Sequence, residues 1–73
     1  SYVLEEQYQA AISYYREVVK YPEGTFYQDA RWELANAYLE LGKKRQARKL
    51  LERIAAQAGD YQQAAQAQLT KLR

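Results

Sequence analysis

The residue types that carry most enzyme chemistry are scarce in this 73-residue chain. It contains no histidine and no cysteine, so the usual pairing of a nucleophile with a base cannot be built. Asp29 and Glu33 lie one helical turn apart, but such surface carboxylate pairs are ordinary. No loop gathers three carboxylates for a hard cation, and no glycine-rich phosphate loop occurs. The sequence therefore predicts a non-enzyme with no catalytic residue, metal site or cofactor.

Basic side chains are the second group that could bind a ligand. Residues 1–42 carry three basic and seven acidic side chains (net −4), whereas residues 43–73 carry eight basic and two acidic ones (net +6). Six basic residues form a basic ridge: Lys43, Lys44, Arg45, Arg48, Lys49 and Arg53. This ridge could contact the phosphates of a polyanion, but no interleaved aromatic residue offers base stacking. We expect a solvated helix face and no specific nucleic-acid binding.

Aromatic side chains offer a third kind of chemistry, the anchoring of a protein partner. Trp32 lies off the apolar stripe of its segment, beside Asn36 and Leu39 at helical spacing. Because aromatic residues dominate interface energetics, Trp32 could anchor a bound peptide. Alternatively, its indole packs against a neighbouring helix. Most of the eight tyrosines occupy apolar stripes and are expected in the core.

Helices must position these side chains, because apolar residues recur at steps of three and four throughout. The first stripe includes Tyr8, Ile12, Tyr15 and Val19. The predicted helices span about residues 2–20, 26–41, 45–58 and 61–72. No segment alternates with a period of two, so the fold class is all-α. The longest apolar runs hold two to three residues, against about 20 for a membrane span, so no transmembrane segment is expected.

Turn signals separate the helices. Pro22 ends the first helix, because the residue before a proline is disfavoured in the helical conformation. Gly42 can enter the left-handed conformation at a helix end without steric cost. Gly59 is predicted to end the third helix in the same way. Thr25 and Gln28 have the spacing of a capping box for the second helix.

The chain also repeats itself internally. A shift of 36 residues aligns Ala11 with Ala47 and Tyr15 with Leu51. Each unit is therefore a helix, a turn and a second helix. Such a hairpin cannot bury both of its faces alone, so stacking on its neighbours completes the core.

This pattern resembles the tetratricopeptide repeat, whose period is about 34 residues. The second unit matches at Leu34, Ala35, Tyr38, Gly42, Ala47, Leu51 and Ile54. The first unit matches from Tyr8 to Val18, and the last helix resembles the opening helix of a further unit, serving as a C-terminal cap. The resemblance implies antiparallel helix-turn-helix hairpins stacked as a short right-handed superhelix, an α-solenoid fragment. We expect a single domain over residues 1–73, cut from a longer protein.

The departures from the family pattern are also informative. Glu6 replaces the turn glycine of the first unit, so we expect residues 2–20 to form one continuous helix. The connection over residues 20–27 resembles the longer-period repeats of bacterial cell-envelope proteins. That similarity suggests a bacterial periplasm or cell envelope as the location.

The resemblance implies a protein–protein interaction scaffold. In the family's arrangement, the strip of Asp29, Trp32, Asn36 and Leu39, with Lys71 on the last helix, lines a concave groove that binds a protein or peptide partner. Some family members bind C-terminal carboxylates through a lysine one turn before an asparagine. Trp32 occupies that lysine position here, which argues against this specificity.

Two other functions remain open from the sequence. One is self-association as a homodimer through a tyrosine-rich first helix, with Tyr8, Tyr14 and Tyr15 as the contact residues. The more remote alternative is polyanion binding through the basic ridge of residues 43–53.

Overall fold

The computed structural model describes residues 2–72, one residue short of the predicted domain at each end. Its four helices are α1 (Tyr2–Val18), α2 (Tyr27–Glu40), α3 (Lys44–Ala55) and α4 (Gln62–Lys71). The described residues contain no strand, which confirms the all-α prediction. α2 packs against α1 and α3, and α3 packs against α4. Helices adjacent in sequence are thus adjacent in space, as stacked hairpins require. Among these residues, no helix has the length and apolarity to cross a membrane.

Gly42 reverses the chain between α2 and α3. Its φ of 74° is the only positive value in residues 2–72. The Lys43 amide donates to the Tyr38 carbonyl at 2.8 Å, and the Gly42 amide donates to the Leu39 carbonyl at 3.0 Å. These two bonds satisfy carbonyls at the end of α2 in the pattern of a Schellman motif. The predicted turn at Gly42 is confirmed.

The core consists of two clusters that share α2. The first joins α2, α3 and α4 through Ala35, Leu51, Ile54 and Ala65. The second joins α1 and α2 through Ile12, Leu34 and Ala37. Leu51 is the largest fully buried side chain of the described residues. Ala35, Ala47 and Ala65 are also completely buried, and their small size lets neighbouring helices approach closely.

α1 is continuous through Glu6 but ends at Val18 rather than residue 20. The amides of Lys20 and Tyr21 bond three residues back, each at 3.2 Å, instead of four. Such tightening is common at a helix end. It follows from Pro22, which disfavours the helical conformation of the preceding Tyr21.

α3 ends at Ala55, whereas the sequence predicts a helix to residue 58. Gln62 Nε2 donates to the Ala55 carbonyl at 3.1 Å and so satisfies a carbonyl at this helix end. The Gln57 amide then bonds three residues back, at 3.3 Å. The prediction of Gly59 as a left-handed cap is wrong, since its φ is not positive.

Gln28 explains the role of Gly59. Its Oε1 accepts the Asp60 amide at 3.3 Å, and a Cβ on Gly59 would lie 2.6 Å from that same oxygen. A side chain at residue 59 would therefore displace the exposed Gln28 amide from its hydrogen bond to Asp60. The predicted capping box of Thr25 and Gln28 is also wrong, because α2 begins without a side-chain cap and Gln28 bonds across to the α3–α4 connection.

Candidate interaction face

An aromatic stack joins α2 to the start of α4. The Trp32 indole lies on the Tyr61 ring with centroids 5.4 Å apart and planes only 9° from parallel. Trp32 and Tyr61 are both half-buried and pack against the first core cluster. The indole therefore packs on its neighbour and is still partly exposed, and its role as a peptide anchor stays a prediction.

Hydrogen bonds fix the residues around this stack. The Tyr61 hydroxyl donates to Asp29 Oδ1. Asn36 Nδ2 donates to the Trp32 carbonyl at 2.9 Å, a bond within α2 that holds the Asn36 side chain along the helix. Three of the five groove residues predicted from the sequence, Asp29, Trp32 and Asn36, are thus linked directly or through Tyr61.

The other two predicted groove residues lie in the last turns of their helices. Leu39, in α2, is half-buried and packs against the first core cluster. Lys71, in α4, is exposed, and within residues 2–72 no hydrogen bond or ion pair joins it to the other four. A lysine in the last helical turn also complements the helix dipole.

The Asp29 carboxylate sets the ionisation of Tyr61. The hydrogen bond to Asp29 is the largest cause that raises the pKa of Tyr61 above 10.0. Partial removal from water and the negative charges of Asp29, Glu33 and Asp60 raise it further. The phenol therefore remains a hydrogen-bond donor to Asp29 up to a higher pH than a free tyrosine would.

Tyr61→Phe should produce a pH-dependent loss of stability. Because the folded-state pKa lies above the unfolded value of 10.0, the contribution of the phenol is complete below that pH and is lost as the pH rises through the folded-state pKa. Urea denaturation should show the wild type more stable than Tyr61→Phe at neutral pH, with the difference vanishing in strong alkali. In an Asp29→Asn background the folded-state pKa is raised less, so the decline should be smaller and should end at lower pH. A difference that grows with pH would contradict the assignment.

Arg31 is a buried residue that the sequence analysis missed. Only 7% of its surface is exposed. Its Nη1 donates to Gln57 Oε1 at 2.8 Å, and its guanidinium carbon lies 5.1 Å from the centre of the Tyr27 ring. No carboxylate pairs with it in the described part of the chain. The available signal was helical spacing: Arg31 lies three and four residues before the buried Leu34 and Ala35, which indicates that the three share one helix face.

Arg31→Met should leave the free energy of unfolding within about 1 kcal/mol of wild type, because an apolar side chain of similar length keeps the packing and removes a desolvated charge. Gln57 is exposed, so water can replace its lost partner. Arg31→Ala should be clearly less stable, since it also removes the packing of the aliphatic stem. Thermal denaturation of both variants tests this. Equal losses in both would mean that the charge, not the packing, matters.

The α1 tyrosines occupy two environments. Tyr8 and Tyr15 are half-buried and pack against the second core cluster. Tyr14 is 64% exposed, and its ring meets that of Tyr15 edge-on at 5.5 Å. Of the three residues predicted for self-association, only Tyr14 is mainly at the surface.

The residues of the basic ridge differ in their contacts. Arg48 Nη2 donates to the Leu72 carbonyl at 3.1 Å and so satisfies an orphan group at the end of α4. Lys49 and Arg53 instead line a groove beside α1. Lys43 is half-buried, and the exposed Lys44 and Arg45 begin α3.

Four helices packed in chain order, with a glycine-ended hairpin at their centre, define a protein built from stacked helical hairpins. The family model described as "Tetratricopeptide repeat" matches residues 2–69, and the chain belongs to that family. The comparisons with curated proteins and with solved structures gave no significant match. Tetratricopeptide repeats generally mediate protein–protein interaction and are typically non-catalytic.

Proposed function

We propose that this protein binds a peptide segment of a partner protein on the α2–α4 face, formed by Asp29, Trp32, Asn36, Leu39 and Lys71 together with Tyr61. The observation that carries the proposal is the half-buried Trp32–Tyr61 stack. It places a partly exposed aromatic surface at the junction of two helices. Large aromatic residues of this kind carry much of the binding energy in protein interfaces.

The stack is also held in place before any ligand arrives. The Tyr61–Asp29 hydrogen bond restrains one ring, and packing against the first core cluster restrains the other. Side chains that are already ordered lose less conformational entropy on binding, so more of the contact energy appears as affinity. Lys71 adds an exposed positive charge, without an ion-pair partner among residues 2–72, that favours a carboxylate on the peptide.

Selection from a phage-displayed random peptide library would supply probes for this face. Trp32 is the only tryptophan, so its fluorescence reports occupancy there without a label. Synthetic copies of selected peptides should shift the Trp32 emission. Asn36→Ala and Lys71→Ala should weaken binding, whereas Lys44→Ala, an equal loss of charge on α3, should not. Peptides that bind without changing Trp32 emission, and equally well to all variants, would contradict the proposal.

Self-association is a second candidate function, favoured by an apolar patch near the end of α1. Tyr14, Tyr21 and Phe26 are between 59% and 67% exposed, and exposed aromatic clusters of this kind often mark interfaces. We infer that a second copy covers Tyr14. Sedimentation velocity over a range of concentrations should detect a dimer that Tyr14→Glu converts to monomer. A strictly monomeric wild type at high concentration would remove this candidate.

A further inference from the structure

A groove of about 600 Å³ lies between α1 and α3, away from the Trp32–Tyr61 stack. Its apolar lining comes from α2, from α3 and from the residue that follows α1: Leu34, Tyr38, Leu50 and Val19. Leu34 is buried and the other three are half-buried. The groove therefore has an apolar floor large enough to receive side chains of a bound segment.

Four cations line the two walls of this groove. Arg16 lies in the last turn of α1 and Lys20 lies two residues beyond that helix, while Lys49 and Arg53 lie on α3. Lys49 and Arg53 are four residues apart on one helix, a spacing at which like charges repel. An anionic ligand between the walls would relieve this repulsion.

Only one carboxylate lines the groove. Glu17 accepts a hydrogen bond from Lys20 Nζ at 3.0 Å. This Lys20–Glu17 contact is the only ion pair among residues 2–72. Arg16, Lys49 and Arg53 therefore have no ion-pair partner in the described part of the chain. The groove carries three more positive charges than negative ones, and they face it from opposite sides.

We propose that this α1–α3 groove is a second binding site, which takes an acidic segment of a partner protein. Apolar side chains of the segment pack on Leu34, Tyr38 and Leu50, and its carboxylates meet the cations of the walls. The site is independent of the α2–α4 face. Charge complementarity specifies the acidic character of the ligand, and the apolar floor specifies an amphipathic segment.

The same features disfavour a nucleic acid as the ligand. Single-stranded nucleic acids stack their bases on aromatic side chains, and the one aromatic residue in the groove, Tyr38, is half-buried in the second core cluster. Phosphates would meet the walls, but bases would lie on an aliphatic floor.

The test uses a fluorescent peptide of about twelve residues with leucines three and four apart and glutamates between them, the spacing of a helix-in-groove ligand. Fluorescence anisotropy should show binding that weakens as salt is added. The double variant Lys49→Ala/Arg53→Ala should bind about five- to tenfold more weakly, which is the combined effect expected from the loss of two exposed ion pairs with the peptide. Lys44→Ala/Arg45→Ala removes the same charge from α3 outside the groove and should bind like wild type.

A gain of affinity provides the sharpest check. Glu17→Gln removes the only negative charge of the groove and frees Lys20, so it should tighten peptide binding about twofold, the size of one exposed charge effect. Circular dichroism establishes that each variant is folded. Equal weakening by the two double variants, or no tightening by Glu17→Gln, would overturn the proposal. A single-stranded oligonucleotide that binds more tightly than the peptide would overturn it in favour of polyanion binding.

This experiment is separable from the test of the α2–α4 face. The acidic peptide should leave Trp32 emission unchanged, because Trp32 does not line the groove. Lys71→Ala should not alter its affinity. A negative result for one of the two sites would therefore not contradict the proposal for the other.

Discussion

Leu51→Ala should lower the free energy of unfolding by about 3–5 kcal/mol, the upper part of the range for deleting a buried leucine. Leu51 is fully buried between helices and belongs to the cluster that joins α2, α3 and α4. Alanine would remove its apolar contacts and leave a cavity that the surrounding helices cannot fill. A domain of this size has a total stability of only about 4–11 kcal/mol, so the variant should be close to unfolding at ambient temperature.

Urea denaturation followed by circular dichroism would measure this loss. The matched control is Leu50→Ala, the same substitution at the adjacent residue of α3. Leu50 is only half-buried, so its loss should be less than half as large. Equal losses at both positions would show that α3 does not bury the predicted face. A loss below about 1 kcal/mol at Leu51 would contradict the hairpin packing itself.

Trp32→Ala should weaken binding of the library-selected peptides by about thirtyfold or more, the effect of losing an interface hot spot of about 2 kcal/mol. The substitution removes the indole that a peptide would contact. It also leaves the Tyr61 ring without its stacking partner. Both halves of the aromatic surface are therefore lost together.

Because Trp32 also packs against the first core cluster, folding must be separated from binding. Trp32→Phe keeps a ring that can stack on Tyr61, and it should lose less affinity and less stability. Isothermal calorimetry measures affinity for both variants, since neither retains the fluorescent probe. A folded Trp32→Ala protein that binds the peptides like wild type would exclude Trp32 as the anchor.

The helical architecture was predictable because its determinants are local. Apolar spacing sets which face of a helix is buried, so Ile12, Leu34 and Leu51 could be placed in the core from the sequence alone. Gly42 could be read as a turn for the same reason, since its positive φ depends on a single residue.

The misses involve contacts between residues distant in sequence. Gln28 bonds to the Asp60 amide rather than capping its own helix. Gln62 donates to the Ala55 carbonyl at the end of α3. Arg31 is buried although arginine usually favours the surface. Each of these contacts depends on how neighbouring hairpins pack against each other. The spacing of residues along one helix does not predict that packing.

The candidate face also combines features that local spacing predicts with features that depend on the packing of separate helices. Helical spacing placed Trp32 and Asn36 on one side of α2, and the Asn36 hydrogen bond to the Trp32 carbonyl agrees with it. The stack of Tyr61 on Trp32, by contrast, appears only when α4 packs against α3. The α1–α3 groove likewise could not be predicted from the sequence, because its walls come from separate parts of the chain.

Nuclear magnetic resonance tests the central claim most directly, with isotope-labelled protein titrated with a library-selected peptide. Binding on the α2–α4 face should shift the Trp32 indole N–H, the Asn36 side-chain amide and the backbone amides near Lys71. Resonances of α1 should stay in place. Shifts confined to α1 and α3, with the Trp32 indole unmoved at saturation, would contradict the account.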